Sequence, residues 1–400
     1  MTAYSRFWSD EAQALLPDLV ALRRAIHAEP ELGLSLPKTT AKVKQALAGL
    51  SLEYREGPST TGLIAVLRGA EEGRTVLLRG DMDALPMHED TGLAFASGTA
   101  GAMHACGHDS HVAMLVGAAR LLSAKRDALK GAVLFMFQPG EEGWHGARHM
   151  IDDGLLDSLP DAAFALHVMP NAPHGVFTGR AGPLLASADK IRVTVHGKGG
   201  HASMPQDALD PVPIACEIVT AIQSWVTRRV AVSDPAVVTI AKIEAGTTDN
   251  VIPESAFLLG TIRTLSPDIR AAVQEGLRRL AEGIAAAHGA SASVAFEQGF
   301  PPTVCDARAV DLARAAVEAM FGAEAWVSMA APVMGAEDFS YVLEKVPGAM
   351  LFLGASESGS DWRSCCGLHS NRMVLDESVM ARGAALHAAI AERFLAEGFV

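Results

Sequence analysis

Nine consecutive residues, Met103-His104-Ala105-Cys106-Gly107-His108-Asp109-Ser110-His111, hold three histidines, a thiol and a carboxylate. Neutral imidazole and thiolate ligate borderline cations such as zinc, manganese, cobalt or nickel. Cys106 and His108 stand at i and i+2, just ahead of a periodic apolar run, where each could serve the same or an adjacent cation. A nucleophilic Cys106 served by a nearby histidine is the competing chemistry.

Further donors lie elsewhere in the chain. Glu141-Glu142 follows the strand-like run Ala132–Phe137 through Gln138-Pro139-Gly140. Adjacent carboxylates repel, and both stay ionised only at a cost. Metal binding by one relieves this and leaves the other as a proton acceptor beside activated water. A solvated acidic turn is the plainer alternative. His167 ends the apolar run AAFAL, and His369 sits in Gly367-Leu368-His369-Ser370. Asp81-Met82-Asp83 puts two carboxylates at a strand exit, one suited to binding metal and the other to orienting an imidazole. His88-Glu89 lacks the second histidine of an HExxH helix. Gly197-Lys198-Gly199-Gly200-His201-Ala202 resembles a dinucleotide fingerprint, but the acid expected about 20 residues on, after a second strand, is missing. Its glycines suit a tight backbone turn that presents His201. Arg263 ends a strand and could fork onto a substrate carboxylate, or form a surface ion pair.

These residues need a frame. Four hundred residues, 49% hydrophobic and 20% charged, can bury a large core in two or three domains. The net charge of −13 argues against nucleic acid and anionic membrane surfaces as partners. No apolar run is long enough for a transmembrane helix, and the N-terminus lacks a signal-peptide pattern. Five cysteines fit a reducing cytoplasm better than a disulfide framework, with the vicinal Cys365-Cys366 reduced.

Helical spacing of Ala12, Leu15, Leu16, Leu19, Val20, Leu22 and Ile26 predicts a first helix, stopped by Pro30 and Gly33. Apolar runs over 62–68, 75–80, 132–137 and 162–168, with a helix from near Asp109, predict a mainly parallel sheet flanked by helices. In such sheets ligands bind beyond the carboxyl ends of the strands, where Asp81, Asp83, Glu141, Glu142 and His167 fall. From Leu184 the pattern changes. The order of runs 190–196, 209–230, 237–243, 257–263, 267–288 and 291–296 is βαββαβ, the ferredoxin-like arrangement. The fold class is therefore α/β with a discontinuous catalytic domain, residues 1–184 and 299–400, and an inserted α+β domain, residues 185–298.

Ten segments in order, RRAIHAEPELG, RGDMDALP, MHACGHDSH, FQPGEEG, ALHV, GKGGHAS, NVIPESA, GTIRT, MGAEDFS and GLHS, span nearly the whole chain. Together they resemble the metallo-aminoacylase and carboxypeptidase family of dinuclear amidohydrolases, in the branch of hippurate hydrolases, N-acyl-L-amino acid amidohydrolases and plant auxin-conjugate hydrolases. The resemblance implies two divalent cations per subunit (Mn, Zn, Co or Ni), with Cys106, His108, Glu142, His167 and His369 as ligands. It implies Glu141 as general base, Asp83 orienting a ligand, His201 and Asn250 near the scissile carbonyl, and Arg263 on the substrate's carboxylate. The insert would be a lid and dimerisation domain in a homodimer or homotetramer, with His201 reaching across from the partner subunit. Much of the wider family carries histidine where Asp81 stands. The implied reaction is hydrolysis of N-acyl amino acids or dipeptide-like amides. Rivals are a carbamoylase on the same fold, a metal-independent cysteine hydrolase, a non-catalytic metal- or peptide-binding protein and, weakest, a nicotinamide oxidoreductase.

Overall fold

The protein is described here by a computed structural model covering residues 3–399. The chain divides into two compact units. The larger is Met1–Gly182, Val304–Ala331 and Asp338–Val400; the smaller is Pro183–Thr303 with Pro332–Glu337. The excursion 332–337 is too short for any periodicity to signal. A parallel bridge between Leu185 and Val333 ties it to the start of the smaller unit.

The larger unit is built on an eight-stranded sheet. Five of its strands come early: β1 (Glu53–Glu56), β2 (Leu63–Arg68), β3 (Glu71–Asp81), β4 (Lys130–Gln138) and β5 (Ala162–Met169). The spatial order is β1-β2-β4-β3-β5, then Gly348–Gly354, Phe177–Gly179 and Trp326–Ser328. The central four, β4-β3-β5 and Gly348–Gly354, are mutually parallel. The pairs β1–β2, β2–β4 and Gly348–Gly354 with Phe177–Gly179 are antiparallel. From Ala132 every residue of β4 is buried, as expected for a strand covered on both faces.

The helices Ala3–His27, His108–Ser123 and Val379–Glu397 pack on one another beside this sheet. The middle one is buried nearly all round, so its sequence is apolar on every face. Gly117 and Gly383 permit its close approach to the last helix. A Cβ at Gly117 would lie 2.8 Å from Ala384 Cβ, and one at Gly383 would lie 2.0 Å from Met114 Sδ. This packing fixes the N-terminal turn that carries His108 and His111.

His387 of the last helix is buried, and burial pushes its imidazole down to about 3. An unfolded chain takes up that proton below about 6.5, and the native protein does not until about 3. The stability linked to His387 is therefore fully present above about pH 6.5 and is lost as pH falls toward 3. His387→Leu should retain roughly 3 kcal/mol more of its neutral-pH stability at pH 4 than the parent does. Urea unfolding at pH 7 and pH 4, with chelator present, measures this; identical pH slopes would count against it.

The smaller unit holds strands Asp189–His196, Ala236–Ala245, Ser255–Thr264 and Ser291–Glu297. Numbered by sequence, they pair in the order second, third, first, fourth, with every neighbour antiparallel. With helices Pro211–Arg229 and Pro267–Ala287 between them, this is the ferredoxin-like order. Asp189–His196 alternates buried and wetter positions. Its Ile191, Val193 and Val195 join Ile214, Ile218, Ile222, Val273 and Leu277 in one apolar core. Both helices begin at side-chain caps followed by proline: Asp210 accepts from the Val212 amide, and Ser266 from the Ile269 amide. Among the described residues no helix is long and apolar enough to cross a membrane. All five cysteines are free thiols.

Candidate active site

Three loops of the larger unit bring the candidate donors together. The first runs from β3 to the buried helix. Gly107, at φ 85°, caps that helix, and a Cβ there would meet Val168 Cγ2 at 2.5 Å. Only a residue without a side chain turns the chain this closely, placing Cys106 and His108 on either side of the turn. The second is the tight turn after β4, where Gly140 and Gly143, both at positive φ, flank Glu141 and Glu142. The third carries His369, a non-glycine residue at φ 64°. Its amide donates to the Ala105 carbonyl at 2.8 Å, which ties it to the first loop. Left-handed backbone at a bulky residue costs free energy and gathers at functional sites.

The donor atoms form overlapping groups. Those of Cys106, His108 and His167 lie within 4.8 Å of one another, and so do those of Cys106, Glu142 and His369. A third group, His108, Glu141 and Glu142, is equally tight. Cys106 belongs to the first two. All five implied ligands thus meet in one place, and Glu141, buried, stands beside them. His104 joins none of these groups; burial pushes it down to about 3.

The tautomers suit ligation. His108 Nδ1 donates to the Asp83 carbonyl at 2.9 Å, and His167 Nδ1 donates to the Val168 carbonyl at 2.7 Å. Each ring then turns its Nε2 lone pair toward Cys106; His167 Nε2 lies 3.4 Å from the sulfur. His108 Nε2 and Glu142 Oε1 are buried without a hydrogen-bond partner. Asp81 Oδ2 does lie 3.5 Å from His108 Nε2, and His369 Nε2 lies 3.2 Å from Glu142 Oε1, so both atoms sit among charges without well-aligned bonds. The neighbouring Cys106 thiol and Glu142 carboxylate raise His369 to about 10. The field that holds a proton there would equally hold a cation. Soft and hard donors, fixed lone pairs and unmatched buried atoms together fit divalent metal.

Asp83 does more than orient one imidazole. Besides its carbonyl bond to His108, its carboxylate accepts from the amides of both Glu141 (2.9 Å) and Glu142 (3.0 Å). It clamps the turn that carries both glutamates. Asp83→Ala should therefore lower kcat by about 10–100-fold, the usual effect of removing a group that orients metal ligands, with little change in KM. Steady-state kinetics with metal analysis would check this, and unaltered kcat would remove the clamp from the account.

Asp81 has a different task. Burial alone would raise it, but Arg79, His108 and His111 hold it well below the usual carboxylate range. Arg79 Nη1 donates to Oδ2 at 2.5 Å, and His111 Nδ1 lies 2.6 Å from Oδ1. Arg79 also donates to Gln138 and Asp338. Asp109 turns away from the donors, to Arg23 and His27. The roles of Arg79, Asp338 and His111 were not read from sequence. The one available signal was that His111 shares a helix face with His108, at i+3.

The remaining candidates lie in the smaller unit. Val251–Ile252 pairs with Gly200–His201, so a short antiparallel ribbon brings His201 beside Asn250. The Asn250 carbonyl accepts from the Ala202 amide at 3.1 Å. Glycines at 199 and 200 are needed for close approach, since a Cβ at Gly200 would lie 2.8 Å from that of Ala208. His201 is exposed. The Ser203 amide donates to its Nδ1 at 3.2 Å, which leaves the ring proton on Nε2. Arg263 is half-buried on Ser255–Thr264, opposite Val237.

The fold and this clustering of donors around a buried glutamate define a hydrolase built on a metal-donor centre. The model of peptidase family M20/M25/M40 matches residues 77–393, and the chain belongs to that family. It is similar to thermostable carboxypeptidase 1 of Saccharolobus solfataricus, 39% identical over 381 residues, covering 94% of this chain and 95% of that one. It is also similar to N-acetylcysteine deacetylase of Bacillus subtilis, 39% identical over 363 residues, covering 90% and 93%. Among solved structures it resembles the YXEP protein of Bacillus subtilis, described as a dinuclear metal-binding peptidase from the M20 family. The TM-score is 0.83 at 35% identity, covering 96% of this chain and 99% of that one.

Proposed function

We propose that the protein is a metal-dependent amidohydrolase that cleaves N-acyl amino acids, hippurate-like compounds among them, or dipeptide-like amides. The observation that carries this is the meeting of Cys106, His108, Glu142, His167 and His369 around one space with Glu141 at its edge. The similar proteins support the substrate class. A carboxypeptidase and an N-acetylcysteine deacetylase both act, by their names, on an amide whose amine half carries a free α-carboxylate.

Two divalent cations, from among manganese, zinc, cobalt and nickel, would be held by those five residues. When bound they would polarise the amide carbonyl and make water acidic enough to deprotonate near neutral pH. Glu141 takes the proton from the attacking water and returns it to the leaving amine. Asp83 keeps Glu141 and Glu142 in register. His201, with its proton on Nε2, and Asn250 donate to the carbonyl oxygen as it gains charge. Arg263 holds the α-carboxylate. The smaller unit serves as lid and dimerisation domain, with His201 acting from a second copy of the chain, in a cytoplasmic homodimer or homotetramer.

The test is an amine-release screen on protein stripped by chelator and reloaded with manganese, cobalt, nickel or zinc. It would use N-acetyl, N-benzoyl and longer N-acyl amino acids, dipeptides and N-carbamoyl amino acids. Metal-dependent release from an acyl amino acid or dipeptide is expected. Release of carbon dioxide and ammonia from the carbamoyl compounds alone would assign a carbamoylase, and no release with any metal would end the proposal.

A further inference from the structure

His111 belongs to the histidine-rich segment, yet it is poorly placed to be a ligand. Its Nδ1 is committed to Asp81 and its Nε2 accepts from the Val168 amide at 2.9 Å. Asp81, His108 and His111 do form a compact group of possible donors. Asp81, however, is already compensated by Arg79 and His111, and His111 has no lone pair left to give.

The Val168 amide explains what His111 does. Strand β5 pairs with β3 only from Ala162 to Ala165, although β3 itself continues to Asp81. Beyond Ala165 the ladder between β5 and β3 stops, and the buried amide of Val168 needs another acceptor. His111 Nε2 supplies it. The carbonyl of the same residue, Val168, is what His167 Nδ1 bonds. A chain of buried contacts thus runs from Asp338 and Gln138 through Arg79 to Asp81, then His111, Val168 and His167.

We infer that His111 is a positioning residue that holds the Val168 backbone so that His167 keeps its Nδ1–H tautomer and its Nε2 aimed at Cys106. The inference rests on the reading of His167 as a metal ligand and adds the device that orients it. With its Nδ1 proton directed at Asp81, His111 offers Nε2 purely as an acceptor, which is what the amide requires. Without it, the Val168 amide is left buried and unmatched, the backbone shifts to find a partner, and the carbonyl that sets the His167 ring moves with it.

The experiment compares His111→Leu, His111→Gln and His167→Ala on chelated protein. Each is titrated with zinc against a chromogenic chelator and loaded with cobalt to read thiolate-to-metal absorption. His111→Leu should weaken one of two bound ions by about 10–100-fold, as typical for loss of a group that orients a metal-binding imidazole. Its cobalt spectrum should shift. His111→Gln, whose side-chain oxygen reaches the Val168 amide, should restore most of both. His167→Ala should abolish the same ion. If His167→Ala loses an ion while His111→Leu binds both normally, the positioning role is overturned and the ligand reading stands. If His111→Gln is as impaired as His111→Leu, the positioning role is overturned too. If His167→Ala changes nothing, the ligand reading fails and takes this inference with it. Should His111→Leu fail to fold, His111→Asn carries the comparison with His111→Gln. Asparagine keeps the Asp81 bond but is too short for Val168, and equal metal affinity in the two variants would overturn the proposal.

Discussion

Cys106→Ala should strip the protein of most of its metal, while alanine at His167 or at His369 should remove about half. The asymmetry follows from the donor groups. Cys106 is common to the set with His108 and His167 and to the set with Glu142 and His369, whereas each of those histidines belongs to one set. Losing an end ligand leaves one set whole. Losing the thiol leaves each set short by its softest donor and takes from the buried space one negative charge that would offset bound cations. Burial raises the Cys106 thiol above its ordinary value, so the ion itself must favour the thiolate, and metal uptake should release protons. Elemental analysis after gel filtration from metal-replete buffer reads the result directly. A Cys106→Ala protein that keeps as much metal as the parent would show that the thiol is not shared.

Glu141→Gln should lower kcat by roughly 10²–10⁴, the range for removal of an acid–base group, with metal content unchanged. Glutamine keeps the size of the side chain and the backbone bond to Asp83, so the turn that positions Glu142 survives. What it loses is the capacity to take a proton from water and deliver it to the amine. Glu142→Gln should behave differently, losing metal as well as rate. The contrast between neighbouring residues separates a proton carrier from a ligand. Near-normal turnover of Glu141→Gln would assign the proton transfer to another group.

Much of this architecture was legible from local pattern. Continuous apolar runs marked β4 and β5, and strict alternation in Asp189–His196 marked a sheet with one wet face. The donors were legible because strands of a mainly parallel sheet deliver their following loops to one edge. Other features lacked any local signal. Helix Pro37–Ala46 reads PKTTAKVKQA, too polar to show a periodic apolar face, and the edge strand Glu53–Glu56 reads EYRE. The double grip of Asp83 on the Glu141 and Glu142 amides, and the contact of Arg79 with Asp338, join residues far apart in the chain. Such bonds follow from tertiary packing, and no spacing rule announces them.

His369 is fastened to the Ala105 carbonyl by its own amide, but more than two hundred residues of chain separate it from His167, including the whole smaller unit. During synthesis, the ribosome therefore delivers four of the five donors long before the fifth. A nascent chain that has folded its early strands still offers an incomplete nest, so full cation capture must await the stretch of translation that carries residue 369. Chains cut short before residue 369 would leave Cys106 and Glu142 with nothing to complete their set.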